Sequence, residues 1–172
     1  MKIFKNIFRI IIIVAIIYII VQIYSSSEGE WVCQNGDWIK QGNPSSDKPQ
    51  DKCNIDIKIV STTIQAEVSK TKSEMELGLS GRDSLASSSG MIFIFEKMGN
   101  YNFWMKDMNF PLDILWINGN FEIVGIEKSL STSTYPNSFG EKYFAKYVLE
   151  VSAGFCDKNN IKVGDKIIFN SN

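Results

Sequence analysis

Apolar and polar residues alternate in two neighbouring stretches of the chain. Residues 55–59 (IDIKI) and 64–68 (IQAEV) are apolar at every second position. A period of two residues places successive side chains on opposite faces of a β-strand. We therefore expect two strands, each with one solvent-facing side, joined by a turn near Ser61–Thr63.

Further apolar stretches predict more strands. Residues 91–95 are continuously apolar, which is typical of a strand buried on both faces. Asn118-Gly119 lies between two apolar stretches and predicts a type I′ hairpin turn. Residues 130–140 are polar and predict a loop. Residues 143–151 predict another strand, and residues 163–169 predict a turn followed by a closing strand.

One short helix is predicted between these strands. The sequence TKSE at residues 71–74 has the spacing of a capping box. A helix over residues 72–77 should follow and end at Gly78. About eight short strands, one clear helix and no βαβ alternation predict an all-β domain, either a β-sandwich of jelly-roll type or a barrel.

The N-terminal 24 residues have a different pattern. Residues 10–21 are uninterrupted apolar sequence, and residues 4–24 give about the 20 positions needed to cross a bilayer. Lys2, Lys5 and Arg9 precede or enter this run, so the positive-inside rule places the remainder of the chain outside the cytoplasm. No Ala-x-Ala motif follows Tyr24, which favours an uncleaved signal-anchor over residues 1–24. The alternative is a cleaved signal peptide, after which the chain would be secreted.

The charge balance excludes one class of partner. Three of the 18 basic residues belong to the predicted anchor, so the part beyond it has 15 basic and 19 acidic residues. No run of Lys or Arg occurs there. Nucleic-acid binding is therefore not expected.

The three cysteines fit an oxidising compartment. Cys33 and Cys53 enclose a polar segment rich in Gly, Pro, Asn and Ser, which cannot bury enough surface to hold itself together. A disulfide would stabilise it by roughly 3 kcal/mol in the chain-entropy model. We expect this bridge within a linker over residues 25–53, ahead of a β-domain over residues 54–172. Cys156 is then unpaired, and the absence of His argues against a zinc site.

Charged residues interrupt the apolar stretch at 102–119. Alternation over residues 102–108 places Asp107 on the same side as Phe103 and places Lys106 on the same side as Trp104. This predicts a strand that leaves the core and ends at the rim of a sheet.

Asp113 is harder to explain as a rim residue. Beyond Pro111, alternation places Leu112, Ile114 and Trp116 on one face and Asp113 on the other with Leu115 and Ile117. A carboxylate on an apolar face needs partners. The candidates are Arg82, Lys106, cations near Glu150, or backbone amides freed by the break at Pro111. Both a structural role and a place in a binding site stay open at this point.

Several motifs occur together over residues 55–170. They are Gly78-Leu79 with Arg82, Gly90-Met91, Phe103-Trp104-Met105-Lys106, Pro111-Leu112-Asp113, Leu149-Glu150-Val151 and Gly164-Asp165. Together they resemble the bacterial and archaeal domain-of-unknown-function family 192, also called the uncharacterised ACR family. The resemblance implies an all-β, jelly-roll-like domain that is often exported, and it implies no particular reaction. Ser80 and Asp107 depart from the Met and Asn that are common in the family.

These features favour a noncatalytic extracytoplasmic domain, attached to the membrane through residues 4–24. We expect it to bind a small polar or saccharide-like ligand, or an envelope partner, and to need no cofactor or metal. The candidate binding residues are Arg82, Trp104, Lys106, Asp107, Asp113 and Glu150. A hydrolase that pairs Asp113 with Glu150 or Asp107 is the alternative. A purely structural or adaptor module is a third possibility.

Overall fold

A computed structural model describes residues 16–17, 29–34, 36–50 and 53–170 of the chain. The predicted membrane helix at residues 4–24 lies outside these ranges, apart from Ile16 and Ile17, which are helical and exposed. Within the described ranges, no helix is long and apolar enough to cross a bilayer.

The described residues divide into two compact units. One includes residues 29–32 and Trp38–Gln50, and in it Trp31 Nε1 donates a hydrogen bond to the carbonyl oxygen of Ser46 at 3.0 Å. The other includes residues 33, 34, 36 and 37 and residues 53–170. Strands β1 (Glu30–Gln34) and β2 (Asp37–Gln41) pair with each other. The sequence pattern did not predict these strands, because the segment lacks sustained apolar alternation.

The cysteine predictions are confirmed. Cys33 and Cys53 form a disulfide whose Cα atoms are 5.4 Å apart. Cys156 is a free, buried thiol. Burial is the main cause that raises the pKa of Cys156 to about 12, so this side chain behaves as a small apolar group at neutral pH.

Seven strands of the second unit form one curled sheet, a half-barrel. In chain order they are β3 (Ile55–Ile59), β4 (Thr62–Ser69), β5 (Ser89–Asn100), β7 (Leu112–Ile117), β8 (Ile123–Leu130), β10 (Phe144–Ser152) and β11 (Ile167–Asn170). Their order in the sheet is β11–β3–β4–β5–β10–β7–β8. The edge strands are therefore β11 and β8. The residues that precede them, Lys166 and Glu122, form an isolated antiparallel bridge. Strands β6 (Phe103–Trp104) and β9 (Ser138–Phe139) form a separate pair.

Both faces of this sheet are buried, and each carries its own core cluster. The inner face holds Ile57, Ile59, Leu115, Ile117, Leu149 and Val151, with Cys156 packed against them. The outer face holds Met91, Phe93, Leu112, Ile114, Trp116 and Val148, covered by Leu79, Met105 and Met108 from the connecting segments. All six residues of β7 are therefore buried, and the predicted division of its side chains between two faces is confirmed.

The helical elements are short. Helix α1 (Lys72–Leu77) has the predicted capping box, in which the Thr71 hydroxyl accepts from the Glu74 amide and the Glu74 carboxylate accepts from the Thr71 amide. Gly78, with φ 52°, ends the helix as predicted. Helix α2 (Phe155–Lys158) and a 3₁₀ turn (Thr132–Thr134) follow later in the chain.

The connection between β4 and β5 corrects the prediction of the architecture. These strands pair in parallel, with Glu67 opposite Met91, and the segment that joins them contains α1. Parallel neighbours require a crossover, so the domain contains one βαβ-like unit. The second face is covered by loops and short helices, and the seven main strands lie in one sheet rather than in the two of a sandwich.

The two turn predictions also need correction. The turn between β3 and β4 lies at Val60–Ser61, earlier than predicted. The β7–β8 hairpin is present, but its turn is not type I′, because the residue with positive φ is Phe121 at 61°. Asn118 Oδ1 accepts hydrogen bonds from the amides of Asn120 and Glu122, which stabilises a longer loop.

Candidate functional site

A polar strip crosses the outer face of the sheet. In register, Glu67 of β4 is opposite Met91 of β5, and Met91 is opposite Glu150 of β10. Residues at matching positions on neighbouring strands project from the same face. Two carboxyl groups therefore flank Met91 on a face that is otherwise covered by apolar side chains.

Arg82 compensates one of these carboxyl groups. Its guanidinium donates two hydrogen bonds to Glu67, and the Nη2–Oε2 distance is 2.9 Å. This fork-to-fork geometry is the strongest form of an Arg–carboxylate pair. Arg82 reaches Glu67 because the chain turns back after α1, through Gly81 at φ 75° and a hydrogen bond from the Arg82 amide to the Leu79 carbonyl oxygen.

Glu150 is the other carboxyl group, and it is only 5% exposed. Its Oε2 atom is buried and has no hydrogen-bond partner among the described residues. Burial raises the pKa of Glu150 to about 8, although the positive charge of Arg82 acts in the opposite direction. The side chain is therefore mainly protonated at neutral pH, and its unsatisfied group costs stability.

Glu150 contributes to the wall of a cavity of about 610 Å³. Three parts of the chain enclose this space: α1 with the turn that follows it, the outer face of β5, and the segment that leads through β6. The residues that supply most of the wall are Met75, Gly78, Leu79, Phe93, Phe95, Tyr101, Phe103, Trp104 and Met108.

Aromatic contacts hold this wall in shape. Phe103 packs edge-on against Phe93, with ring centroids 4.8 Å apart, and Tyr101 stacks on Phe95. Behind them, the Trp116 indole N–H donates to the Tyr101 carbonyl oxygen at 2.8 Å. Aromatic pairs and a buried hydrogen bond restrict the rotamers on both sides, so the cavity is largely preformed.

Several polar groups around the cavity already have partners. Lys70 forms an ion pair with Asp37, and Lys72 lies 3.8 Å from Glu76. The Ser80 hydroxyl donates to the Lys106 carbonyl oxygen at 3.0 Å, and the Asn100 amide donates to the Glu141 carbonyl oxygen at 2.7 Å. The buried Oε2 atom of Glu150 differs from these groups in having none.

Asp113 lies on the opposite, inner face and has a structural environment. Its Oδ1 accepts hydrogen bonds from the amides of Ser129 and Gly154 at 2.8 and 3.1 Å, and its Oδ2 accepts from the Cys156 amide at 2.9 Å. Of the partners considered from the sequence, backbone amides are the correct class. They come from the β8 end and from the start of α2, and neither Arg82 nor Lys106 hydrogen-bonds to Asp113.

Lys106 and Asp107 occupy an exposed turn, so the strand predicted over residues 102–108 is wrong beyond Trp104. Asp107 has a positive φ of 55°, which extended backbone does not allow. The turn is held by hydrogen bonds from the Ser80 hydroxyl to the Lys106 carbonyl oxygen and from the Gly81 amide to the Asp107 carbonyl oxygen.

The six candidate residues therefore separate into three groups. Trp104 and Glu150 line the cavity, and Trp104 remains 54% exposed at its edge. Arg82 acts on Glu150 through its charge without lining the cavity. Lys106, Asp107 and Asp113 do not line it.

Sequence reasoning missed Glu67 and, apart from Trp104, the aromatic wall. Alternation correctly placed Glu67 on the face of β4 opposite its apolar residues. The sequence predicted that this second face is exposed to solvent, but it is covered, and the Glu67 side chain is only 19% exposed. The continuous apolar stretch at 91–95 was the available signal, since a neighbour of a strand buried on both faces must also have covered faces.

Comparison with known proteins gives matches in structure. A Sinorhizobium meliloti protein, whose crystal structure is described as that of a "putative transcription regulator", is 24% identical, with a TM-score of 0.65 over 67% of this chain and 93% of that one. A Novosphingobium aromaticivorans protein of unknown function is also 24% identical, with a TM-score of 0.63 over 67% of this chain and 84% of that one. At this identity the likeness concerns the fold. No curated protein matches significantly.

A family model matches the sequence over most of the second unit. Residues 55–169 fit the model of DUF192, described as uncharacterised ACR. This range contains the seven-stranded sheet except for its last residue, together with Arg82, Glu150 and the cavity. The chain therefore belongs to the DUF192 family.

Proposed function

We propose that the domain binds a small organic ligand in the outer-face cavity, with Glu150 as the polar group that orients it. The observation that carries this proposal is the buried Oε2 atom of Glu150, which has no hydrogen-bond partner among the described residues. A buried polar group without a partner is costly, and a ligand that supplies one recovers that cost on binding.

The cavity has the properties of a ligand site. Its volume of about 610 Å³ lies within the usual range for small-molecule pockets. Its wall is mainly apolar and aromatic, with Phe93 and Phe103 in fixed edge-to-face contact. Such a wall buries an apolar ligand body while a single polar contact sets its orientation.

We further propose that the domain works outside the cytoplasm, held at the membrane by residues 4–24. The three cationic residues Lys2, Lys5 and Arg9 and the apolar run support this orientation. The disulfide between Cys33 and Cys53 supports it independently, because such bonds persist in oxidising compartments.

The geometry does not favour the carboxylate-pair hydrolase. Asp113 is opposite Val151 in register, so the neighbouring Glu150 projects from the other face of the sheet. Asp107 does not line the cavity either. A pair of carboxyl groups that act on one bond must face the same space.

Binding can be tested by NMR titration of the full-length protein with benzylamine, benzyl alcohol and N-acetylglucosamine. We expect saturable shifts at residues of the wall, such as Phe93 and Phe103, for at least one probe. Met75→Trp should fill the cavity and abolish these shifts, whereas Met98→Trp, at an exposed residue outside the wall, should preserve them. Absence of saturable shifts at the wall for all three probes would refute the proposal.

A further inference from the structure

We propose that the cavity selects small organic cations, in which an ammonium group pairs with Glu150 and an apolar body packs on the aromatic wall. This inference rests on the proposed ligand site and names the chemical class of its ligand. A neutral saccharide is the class that it excludes.

The charges around Glu150 support a cationic ligand. On the neighbouring strands, Met91 and Ile114 are opposite Glu150, so these neighbours add no charge. From the loop after α1, the charge of Arg82 acts on Glu150. Its guanidinium forms two hydrogen bonds with Glu67, so this pair carries no net charge.

At the cavity edge, each positive charge is close to a negative one, and the remaining charged residue is acidic. Lys70 pairs with Asp37, and Lys72 lies near Glu76. Apart from these residues and Glu150, the remaining charged side chain of the wall is Glu96, from β5. When Glu150 ionises, the site therefore carries an excess of negative charge that a bound cation would neutralise.

The aromatic wall favours the same ligand class. Cations are attracted to the faces of Trp, Tyr and Phe rings, and Tyr101, Phe103 and Trp104 all contribute to the wall. A saccharide would bring several hydroxyl groups, each of which needs a partner when buried. Ser80 and Asn100 already donate to backbone carbonyl groups, which leaves Glu150 as the buried polar contact.

Binding of a cation should be coupled to loss of a proton. In the empty cavity burial raises the pKa of Glu150 to about 8, so below that pH the side chain is mainly protonated. A cation stabilises the carboxylate, and Glu150 must release its proton to pair with it. The apparent affinity should therefore fall by about tenfold for each pH unit below 8.

Isothermal titration calorimetry of the full-length protein in lipid nanodiscs tests this selectivity, with empty nanodiscs as the blank. Benzylamine is the cationic probe, benzyl alcohol is its neutral counterpart, and N-acetylglucosamine represents saccharides. We expect benzylamine to bind at least tenfold more tightly than either neutral probe at pH 8, and to release about one proton at pH 6.5, measured in buffers of different ionisation enthalpy.

Glu150→Gln provides the decisive variant, because glutamine mimics the neutral carboxyl group and should preserve the fold. It should remove the preference for benzylamine and the proton release, while Glu122→Gln, outside the cavity, should change neither. If a neutral probe binds in the cavity as tightly as benzylamine, the inference is wrong and the proposed function stands. If no probe binds, both are wrong.

Discussion

Asp113 and Glu150 lie on neighbouring strands of one sheet but project from its opposite faces. Asp113 accepts three backbone hydrogen bonds on the inner face. Glu150 has a buried oxygen without a partner on the outer face. The two buried carboxyl groups therefore have different environments: Asp113 stabilises the fold, and Glu150 is the group that we propose contacts a ligand.

Asp113→Asn should destabilise the protein without changing ligand selectivity. The variant replaces one acceptor oxygen with an amide donor, which leaves at least one of the N–H groups of Ser129, Gly154 or Cys156 without its bond. We expect a loss of about 2–3 kcal/mol in the free energy of unfolding, measured by urea denaturation. Asp157→Asn, at an exposed residue of α2, is the control and should cost less than about 1 kcal/mol. Equal effects of the two variants would contradict the structural role.

Glu150 should make the protein less stable as the pH rises. Its pKa in the folded protein is about 8, above the ordinary value of 4.5, so the folded state binds more protons than the unfolded state between these values. The stability of the wild type relative to Glu150→Gln should therefore fall by about 1.4 kcal/mol per pH unit through this window, and level off above it. Urea denaturation of both proteins from pH 5 to pH 9 measures the difference. Parallel curves would show that Glu150 ionises normally.

Arg82→Gln should raise the pKa of Glu150 further, because the charge of Arg82 favours the carboxylate form. It should also remove the half-buried ion pair with Glu67, which should lower the free energy of unfolding by about 1 kcal/mol. NMR titration of the Glu150 side-chain carboxyl group measures the shift. Adding Glu67→Gln removes the unpaired negative charge, so the double variant should have a smaller shift than the single one. An unchanged titration in Arg82→Gln would mean that the two groups do not interact.

Cys156 should resist alkylation in the folded protein. Burial raises the pKa of its thiol to about 12, so almost no reactive thiolate is present at pH 8. We expect iodoacetamide to label it only after unfolding, as read by mass spectrometry. Labelling of Cys33 and Cys53 should require reduction of their disulfide in addition to unfolding. Labelling of Cys156 in the native protein would show that the inner face opens readily.

The orientation of the chain in the membrane remains a prediction. If residues 4–24 form an anchor with its N-terminus in the cytoplasm, protease added to cells with a permeable outer envelope should digest a C-terminal tag. A cytoplasmic protein in the same cells should stay intact. Protection of the tag would contradict the proposed location.

Local patterns predicted the elements of the fold better than their arrangement. Alternation assigned the side chains of β7 to the correct faces, and the capping box located α1, because both depend on residues close in sequence. The partner of Arg82 could not be predicted in this way. Glu67 becomes its partner only through the crossover that brings β4 beside β5, and no short-range pattern marks such a connection.

The cavity was less predictable for the same reason. Its wall combines α1, β5 and the segment at 101–104, whose positions depend on contacts between distant residues. The aromatic residues of that segment predicted burial, but burial alone does not distinguish a packed core from a lined cavity. The expected strand over residues 102–108 failed because hydrogen bonds from Ser80 and Gly81 stabilise a turn there.

The pairing of β3 with β11 has a consequence for how the domain reaches its folded state. Ile59 is opposite Ile167, so the first strand of the sheet gains its outer neighbour only when the last strand is available. Contacts between such distant residues form slowly, because closing the long intervening loop costs entropy. During synthesis the emerging chain should therefore stay incompletely folded until β11 has been made. If the domain crosses a membrane before it folds, as proposed above, this order of assembly would keep it in a state that can be translocated.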